Sequence, residues 1–246
     1  MPGAPRAFVR WWWNGDSERA PWFRRIFGLL VQIFVLLPVT LILIFRFVPV
    51  PVTADMIFNF FSGDPVNYSW REAGAVSPFV GQAVIASEDQ KFCLHNGFDW
   101  GSIDKALKDH SRHPSRPLRG ASTLSQQTAR SLFLTPVRSW ARKGVEAYFT
   151  VLIEALWPKR RILTAYLNLT DWGHGNFGVE AAARAYFHEP AFALDAYQAA
   201  RLAAVLPDPD KWHAANPGPY VARRTDTLIL HMAQMARDRL DACAKR

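Results

Sequence analysis

With 246 residues, half of them hydrophobic and a fifth charged, the chain is long enough for one large domain or two small ones and too apolar to be disordered. No period repeats, and 14 Gly and 17 Pro are ordinary at this length, which excludes solenoid, collagen-like and low-complexity architectures. The net charge of +8 suits an anionic partner, while two cysteines, Cys93 and Cys243, are too few for a disulfide framework or an unaided zinc site and leave one bridge open.

The first element is an apolar run, IFGLLVQIFVLLPVTLILIF at 26–45, uncharged and with only Gln32 and Thr40 polar. Twenty helical residues span about 30 Å, one hydrocarbon core. Pro38 would kink a soluble helix, but membrane helices tolerate it better. Arg24 and Arg25 abut the start, and Trp11, Trp12, Trp13 and Trp22 can form an interfacial belt. A buried core helix does not account for these flanks. A cleaved signal fits poorly too, because VPVPV at 48–52 follows in place of a small-residue cleavage site. The pattern predicts a cytoplasmic segment over 1–25, one retained transmembrane anchor over 26–47 and an outer domain over 48–246. The orientation follows from the five Arg ahead of the span and argues against nucleic acid as partner.

The outer domain reads as helices. Ser77-Pro78 opens one through Glu88, and Asp99 caps another ending near His110. The Pro-, Arg- and Ser-rich stretch 110–120 predicts a mobile basic loop. Ser122 is expected to cap a helix to Phe133, and Ser139 a long one to Trp157 with Val145, Phe149, Leu152, Ile153 and Leu156 at helical spacing. Pro158 starts a further helix to about Asn168. After a Gly-rich connection at 172–178, helices are predicted over 179–187, 195–206 and 219–242. No segment alternates as a strand does, so one all-α domain is expected.

The chemistry begins with absences: no GxGxxG behind a strand, no P-loop and no HExxH. Ser102 and Lys105 have S-x-x-K spacing without the K-T-G that should accompany it, and read as coincidence. His110 and His113 sit in a solvated loop, a poor metal cage. Three segments remain. Glu88 ends an apolar helix before a polar turn, where a part-buried carboxylate can serve as a general base or simply be a solvated helix end. In RGASTLSQQTAR, 119–130, small and hydroxyl residues at a helix start leave N–H groups open to an anion, with Gln126, Gln127 and Arg130 further on; an ordinary Ser cap gives the same pattern. Arg142, Lys143 and Glu146 are i,i+4 and i,i+3 neighbours, a phosphate clamp with a positioned carboxylate or a surface salt-bridge cluster.

In this order and spacing the segments resemble the glycosyltransferase family 51 domain, the peptidoglycan polymerase. The first motif is Glu88, Asp89, Phe92, His95 and Gly97; the second Gly120, Ser122, Thr123, Gln126 and Gln127; the third Arg142, Lys143 and Glu146. The fourth is Lys159, Ile162, Leu163, Tyr166, Leu167 and Asn168, and the fifth runs from Gly175 and Gly178 through Glu180 to Tyr186 and Phe187. The resemblance covers about 50–240, leaves no room for a transpeptidase domain, and so points to a monofunctional member. It implies a mainly helical, lysozyme-like fold with a head lobe and a smaller membrane-proximal jaw, in a bacterial inner membrane with the catalytic domain periplasmic. The implied substrates are lipid II and the nascent glycan strand, with membrane lipid and wall-synthesis or division proteins as partners. Glu88 is implied as catalytic base and Glu146 as the second catalytic carboxylate, positioning the diphosphate or a divalent cation such as Mg2+ that is not obligatory. Asp89, Phe92, His95, Ser122, Thr123, Gln126, Gln127, Arg130, Arg142, Lys143, Lys159 and Asn168 are implied in substrate binding.

The chain departs from the family pattern at Thr164, usually Glu; at His188, often Lys; and at Ser125, Arg130 and Ser131, of which Arg130 keeps the charge. Two other readings stay open. A lysozyme-like lytic enzyme also uses one key Glu, but has no diphosphate for Arg130, Arg142 and Lys143 to hold. An inactive membrane-anchored scaffold would not need both Glu88 and Glu146.

Overall fold

The computed structural model describes residues 22–115, 120–135, 137 and 139–245. The tryptophans at 11–13 and positions 116–119 of the basic loop lie outside these. The chain divides between Phe47 and Val48 into two compact units.

In the first unit, α1 (Trp22–Val31) passes through a π-helical turn (Gln32–Leu36) into α2 (Leu37–Phe45). Pro38 explains the turn: it has no N–H to donate and its ring crowds the carbonyl four residues back, so the ladder widens locally without breaking. Arg24–Phe45 is long and apolar enough to cross a membrane, with Phe27 and Phe34 more than half exposed on its surface.

The second unit is helical with one small exception. α3 (Ala54–Ser62), not foreseen from the sequence, starts at Thr53, whose hydroxyl accepts from Met56 N, and stops at Gly63 in the left-handed region. α4 (Pro78–Glu88) buries Val80, Ala83, Val84, Ile85 and Ala86, and packs against α10 (Ala196–Val205) and α11 (Pro219–Asp238). α5 (Trp100–Arg112) extends two residues past the expected end. Its cap is Asp99, which accepts from both the N–H and the hydroxyl of Ser102 and whose pKa these bonds lower to about 2. Ser102 is thereby a capping partner, in keeping with a coincidental S-x-x-K.

α6 (Leu124–Phe133) and α7 (Trp140–Leu156) pack together, and α6 also packs on α8 (Lys159–Leu169). Every residue of α8 from Arg161 to Leu169 is buried, as expected of a helix at the centre of the core. Thr164, where the family usually has Glu, turns its hydroxyl onto the Arg160 carbonyl of the same helix, 2.8 Å away. α9 (Val179–Phe187) follows Gly178, which must be glycine: its φ is +88°, and a Cβ would lie 2.7 Å from the Asn168 carbonyl oxygen. His188 closes α9 in the left-handed conformation.

Three expectations are corrected. Thr123, not Ser122, caps α6: it forms a capping box with Gln126, which frees Ser122. The last long helix stops at Asp238 because Arg239 turns left-handed, and the chain re-enters a short helix, α12 (Ala242–Lys245). A two-residue parallel ladder, β1 (Asn67–Tyr68) with β2 (Asn176–Phe177), is present where no strand was expected. The question left by the cysteines is settled by a Cys93–Cys243 disulfide.

Candidate active site

Glu88 is the last residue of α4, and both its oxygens are engaged. Ser87 Oγ lies 3.0 Å from Oε1, and the Arg224 guanidinium donates to Ser87 Oγ (2.9 Å) while standing 3.9 Å from Oε1. On the other side Gln127 donates to Oε2 (3.1 Å), and Tyr166 donates its O–H to Gln127 Oε1 (3.3 Å). Burial, reinforced by the Glu88 charge, pushes the Tyr166 phenol well above its usual range, so it stays a donor. The Glu88 side chain keeps 16% of its surface exposed, into an open cavity of about 840 Å3 that runs along α5.

The turn after Glu88 is scaffolding. Asp89 is buried, accepts from His95 Nε2 (3.0 Å) and from the Leu124 N–H at the start of α6 (3.0 Å). Phe92 is fully buried under the Lys159 ammonium, and Lys159 is tied to Glu154 at 2.7 Å. Thr123 spends its hydroxyl on the Gly97 carbonyl (2.6 Å), and Gln126 spends its side-chain oxygen on the Thr123 N–H. Asn168 is buried, bonded to both the N–H and the carbonyl of Arg71. Asp89, Phe92, His95, Thr123, Gln126, Lys159 and Asn168, which the resemblance assigns to substrate, thus all make contacts within the fold; Asp89 and Thr123 also line the Glu88 cavity, and His95 Nδ1 is buried with no partner among the described residues.

The cationic side forms around α7. Ser139 caps that helix by accepting from Arg142 N, which sets the next turn. Glu146 is buried, 3% exposed, and takes Arg142 on one oxygen (3.2 Å) and Lys143 on the other. Lys143 also donates to Ser122 Oγ (2.9 Å), and Gln127 reaches the Ser122 carbonyl at 3.5 Å. A chain of polar contacts therefore links Glu88 through Gln127, Ser122 and Lys143 to Glu146 and Arg142. A second cavity, about 600 Å3, opens on this side between Ser122, Arg142 and Lys143 and the apolar Ile103, Leu107 and Trp140. It shares Ala106, Gly120, Ala121 and Ser122 with the Glu88 cavity. The Nε–H of Arg142 is buried with no partner among the described residues, a donor that a bound anion would satisfy.

Asp55, in the first turn of α3, was not singled out from the sequence. α3 packs on α6, and one Asp55 oxygen is buried with no partner among the described residues. Burial raises its pKa to about 6, against the pull of Arg130 and Arg142, which places both cations within electrostatic reach of it. An acid whose folded pKa exceeds its unfolded value of 3.8 costs stability when ionised: the penalty is full above about pH 6 and vanishes as pH falls towards 4. Asp55→Asn is expected to stabilise the fold by about 1–2 kcal/mol at pH 8 and not at pH 4, read by thermal melting at both. An equal shift at both pH values would contradict the burial cost.

The sequence singled out Glu88, the 119–130 segment and the Arg142–Glu146 triplet, and the structure brings Glu88, the 120–127 part of that segment and the triplet together, while Arg130 lines neither cavity. The sequence reading did not find Ser87 and Arg224, which meet from positions 137 residues apart. The transglycosylase family model matches residues 55–233. A biosynthetic peptidoglycan transglycosylase of Rhodospirillum centenum is 52% identical over 178 residues, 72% of this chain and 76% of that protein. Proteins of the same name from Chromohalobacter salexigens and Caulobacter vibrioides are 48% and 44% identical, over 87% and 89% of this chain and 94% and 96% of theirs. The five motifs lie in a helical domain matched over most of its length, and the chain belongs to the transglycosylase family.

Proposed function

We propose that the cleft polymerises lipid II, a disaccharide-pentapeptide on a polyprenyl diphosphate, into peptidoglycan glycan strands. The observation that carries this is the Arg142–Lys143–Glu146 set with its unpartnered Arg142 donor, joined by polar contacts to Glu88. A leaving diphosphate gathers charge as its bond to the sugar breaks, and preorganised cations lower that barrier.

Glu88 takes the proton of the acceptor's 4-hydroxyl, and that oxygen attacks the donor's anomeric carbon. The carbon–oxygen bond to the diphosphate breaks on the opposite face, so the centre inverts, as in an inverting glycosidase with a sugar hydroxyl in place of water. Gln127, anchored by Tyr166, and Ser87, anchored by Arg224, hold the carboxylate in aim. Arg142 and Lys143, aligned by Glu146, take the diphosphate, and Arg130 adds charge nearby. The apolar wall of Ile103, Leu107 and Trp140 suits the adjoining polyprenyl chain. Glu146 has both oxygens on cations, and no group of three or more His, Cys, Asp or Glu among the described residues can hold a metal. A Mg2+ on this diphosphate would therefore take its ligands from the phosphates, water and at most one carboxylate, Glu146.

The anchor and the disulfide support a single-pass protein of the bacterial inner membrane, N-terminus cytoplasmic and catalytic unit periplasmic, because disulfides persist in oxidising compartments. α3 exposes Phe60 and Phe61 at 71% and 81%, aromatics suited to a membrane interface. The test supplies the purified full-length chain with labelled lipid II or with preformed glycan. Strand growth from lipid II supports the reading. Shortening of the preformed strand would favour a lytic enzyme, and no change to either substrate by the folded protein would favour a scaffold.

A further inference from the structure

Cys93 lies inside the first motif, between Phe92 and His95, in the acid turn, the turn that carries Asp89 and follows Glu88 directly. Through the Asp89–Leu124 and Thr123–Gly97 bonds the same turn seats the start of α6. Its covalent partner, Cys243, is 150 residues away on α12, with 5.5 Å between the Cα atoms. The segment 239–245 is a strap. It leaves α11 at the left-handed Arg239, runs across α4 and α8, and ends on the acid turn.

Besides the disulfide, the strap packs on α8. Buried Asp241 accepts from Gln82 Nε2 of α4 at 2.9 Å. Next to that bond a cavity of about 330 Å3 is lined by Asp241 and Ala244 of the strap and by Leu163, Thr164 and Leu167 of α8. The disulfide is what ties the strap covalently to the turn after Glu88. Both cysteines are half-buried, which leaves the bond within reach of an attacking thiolate.

We propose that the Cys93–Cys243 bond is a redox-sensitive brace on the acid turn, which holds Glu88 and its Asp89–His95 support in register when oxidised and slows glycan transfer when reduced. The partner implied is a dithiol oxidoreductase on the same side of the membrane as the catalytic unit. One of its thiolates attacks a sulfur of the bond and forms a mixed disulfide, and the other cysteine leaves as thiolate. The second thiol of the reductant then attacks that mixed disulfide. Cys93 and Cys243 end as two thiols, having gained two electrons and two protons, and the reductant ends as the disulfide. The cysteines are positioning residues, acting through the turn that carries Glu88.

The inference rests on the polymerase reading, and the test separates the two. Full-length wild type is assayed on labelled lipid II before and after reduction by dithiothreitol, with thiols titrated and folding followed by circular dichroism. The assay is run at a temperature where the reduced protein remains folded. The reduced enzyme is expected to lose about 10- to 100-fold in kcat, since misplacing a catalytic group by about 1 Å can cost about 100-fold, with KM for lipid II within about twofold. The Cys93→Ser/Cys243→Ser variant should start at the reduced rate and not respond to dithiothreitol. Reoxidation should restore the wild type. Two titrated thiols in a folded enzyme with unchanged kcat would overturn the brace, as would a double variant as fast as the oxidised wild type. An oxidised wild type that makes no strands would overturn the polymerase reading instead.

Discussion

Glu88→Gln is expected to abolish strand growth, with a loss of about 10^3-fold or more in turnover, within the range for removal of a positioned general base. The substitution keeps shape and volume. A Gln at this position can still accept from Gln127 or Ser87, so its melting temperature should stay near that of the wild type. What it loses is the lone pair able to take a proton, together with the negative charge that Arg224 faces at 3.9 Å. The measurement is single-turnover transfer from labelled lipid II with enzyme in excess, which removes substrate binding from the rate. A variant that binds lipid II as the wild type does and transfers within about tenfold of its rate would remove Glu88 from the role of base.

The second large effect is on stability. Glu180, in the fifth motif, is 1% exposed and accepts from Arg184 (2.7 Å), from the Ala191 N–H (2.9 Å) and from Arg71 (3.2 Å). Burial alone would raise its pKa, but these three donors outweigh it and hold the carboxyl below its usual value. Glu180→Gln presents an NH2 group to donors that need an acceptor and leaves two guanidinium groups facing a neutral site. Both guanidinium groups are partly open to solvent, so the expected cost is about 2 kcal/mol at pH 7, the scale for losing charge-assisted hydrogen bonds to a buried carboxylate. Because the folded pKa is depressed, the contribution is fully present above the unfolded value of 4.5 and fades as pH falls below it. The gap between wild type and variant in denaturant unfolding should therefore narrow in acid. A gap below about 0.5 kcal/mol at pH 7 would mean the site is a surface feature.

These two carboxylates mark what was legible in the sequence. Arg142, Lys143 and Glu146 could be read because helix spacing alone makes them neighbours. Glu88 could be read as a candidate because it closes an apolar run. What could not be read depends on distant partners. Arg224 reaches Ser87 across the fold, and Glu180 is a prop only because Arg71 and Ala191 arrive from other segments. The Cys93–Cys243 pairing is of the same kind. Local competition explains the smaller misses. Ser122 and Thr123 are both good caps, and the position of Gln126, three residues after Thr123, decides between them. Arg239 ends α11 in a conformation that its residue type does not announce. The helices themselves followed from apolar spacing, as in α7, and from caps and prolines at their starts, as at Asp99 and Pro158.

The most direct test of the central claim is the anomeric configuration of the bonds in strands grown by the wild type from lipid II, determined by NMR on the polymer. A single in-line displacement with Glu88 as base predicts new glycosidic bonds of the configuration opposite to that of the sugar–diphosphate bond, with one polyprenyl diphosphate released for each bond formed. Retained configuration would require a covalent glycosyl–enzyme intermediate and would contradict the account, as would strands formed without release of the diphosphate.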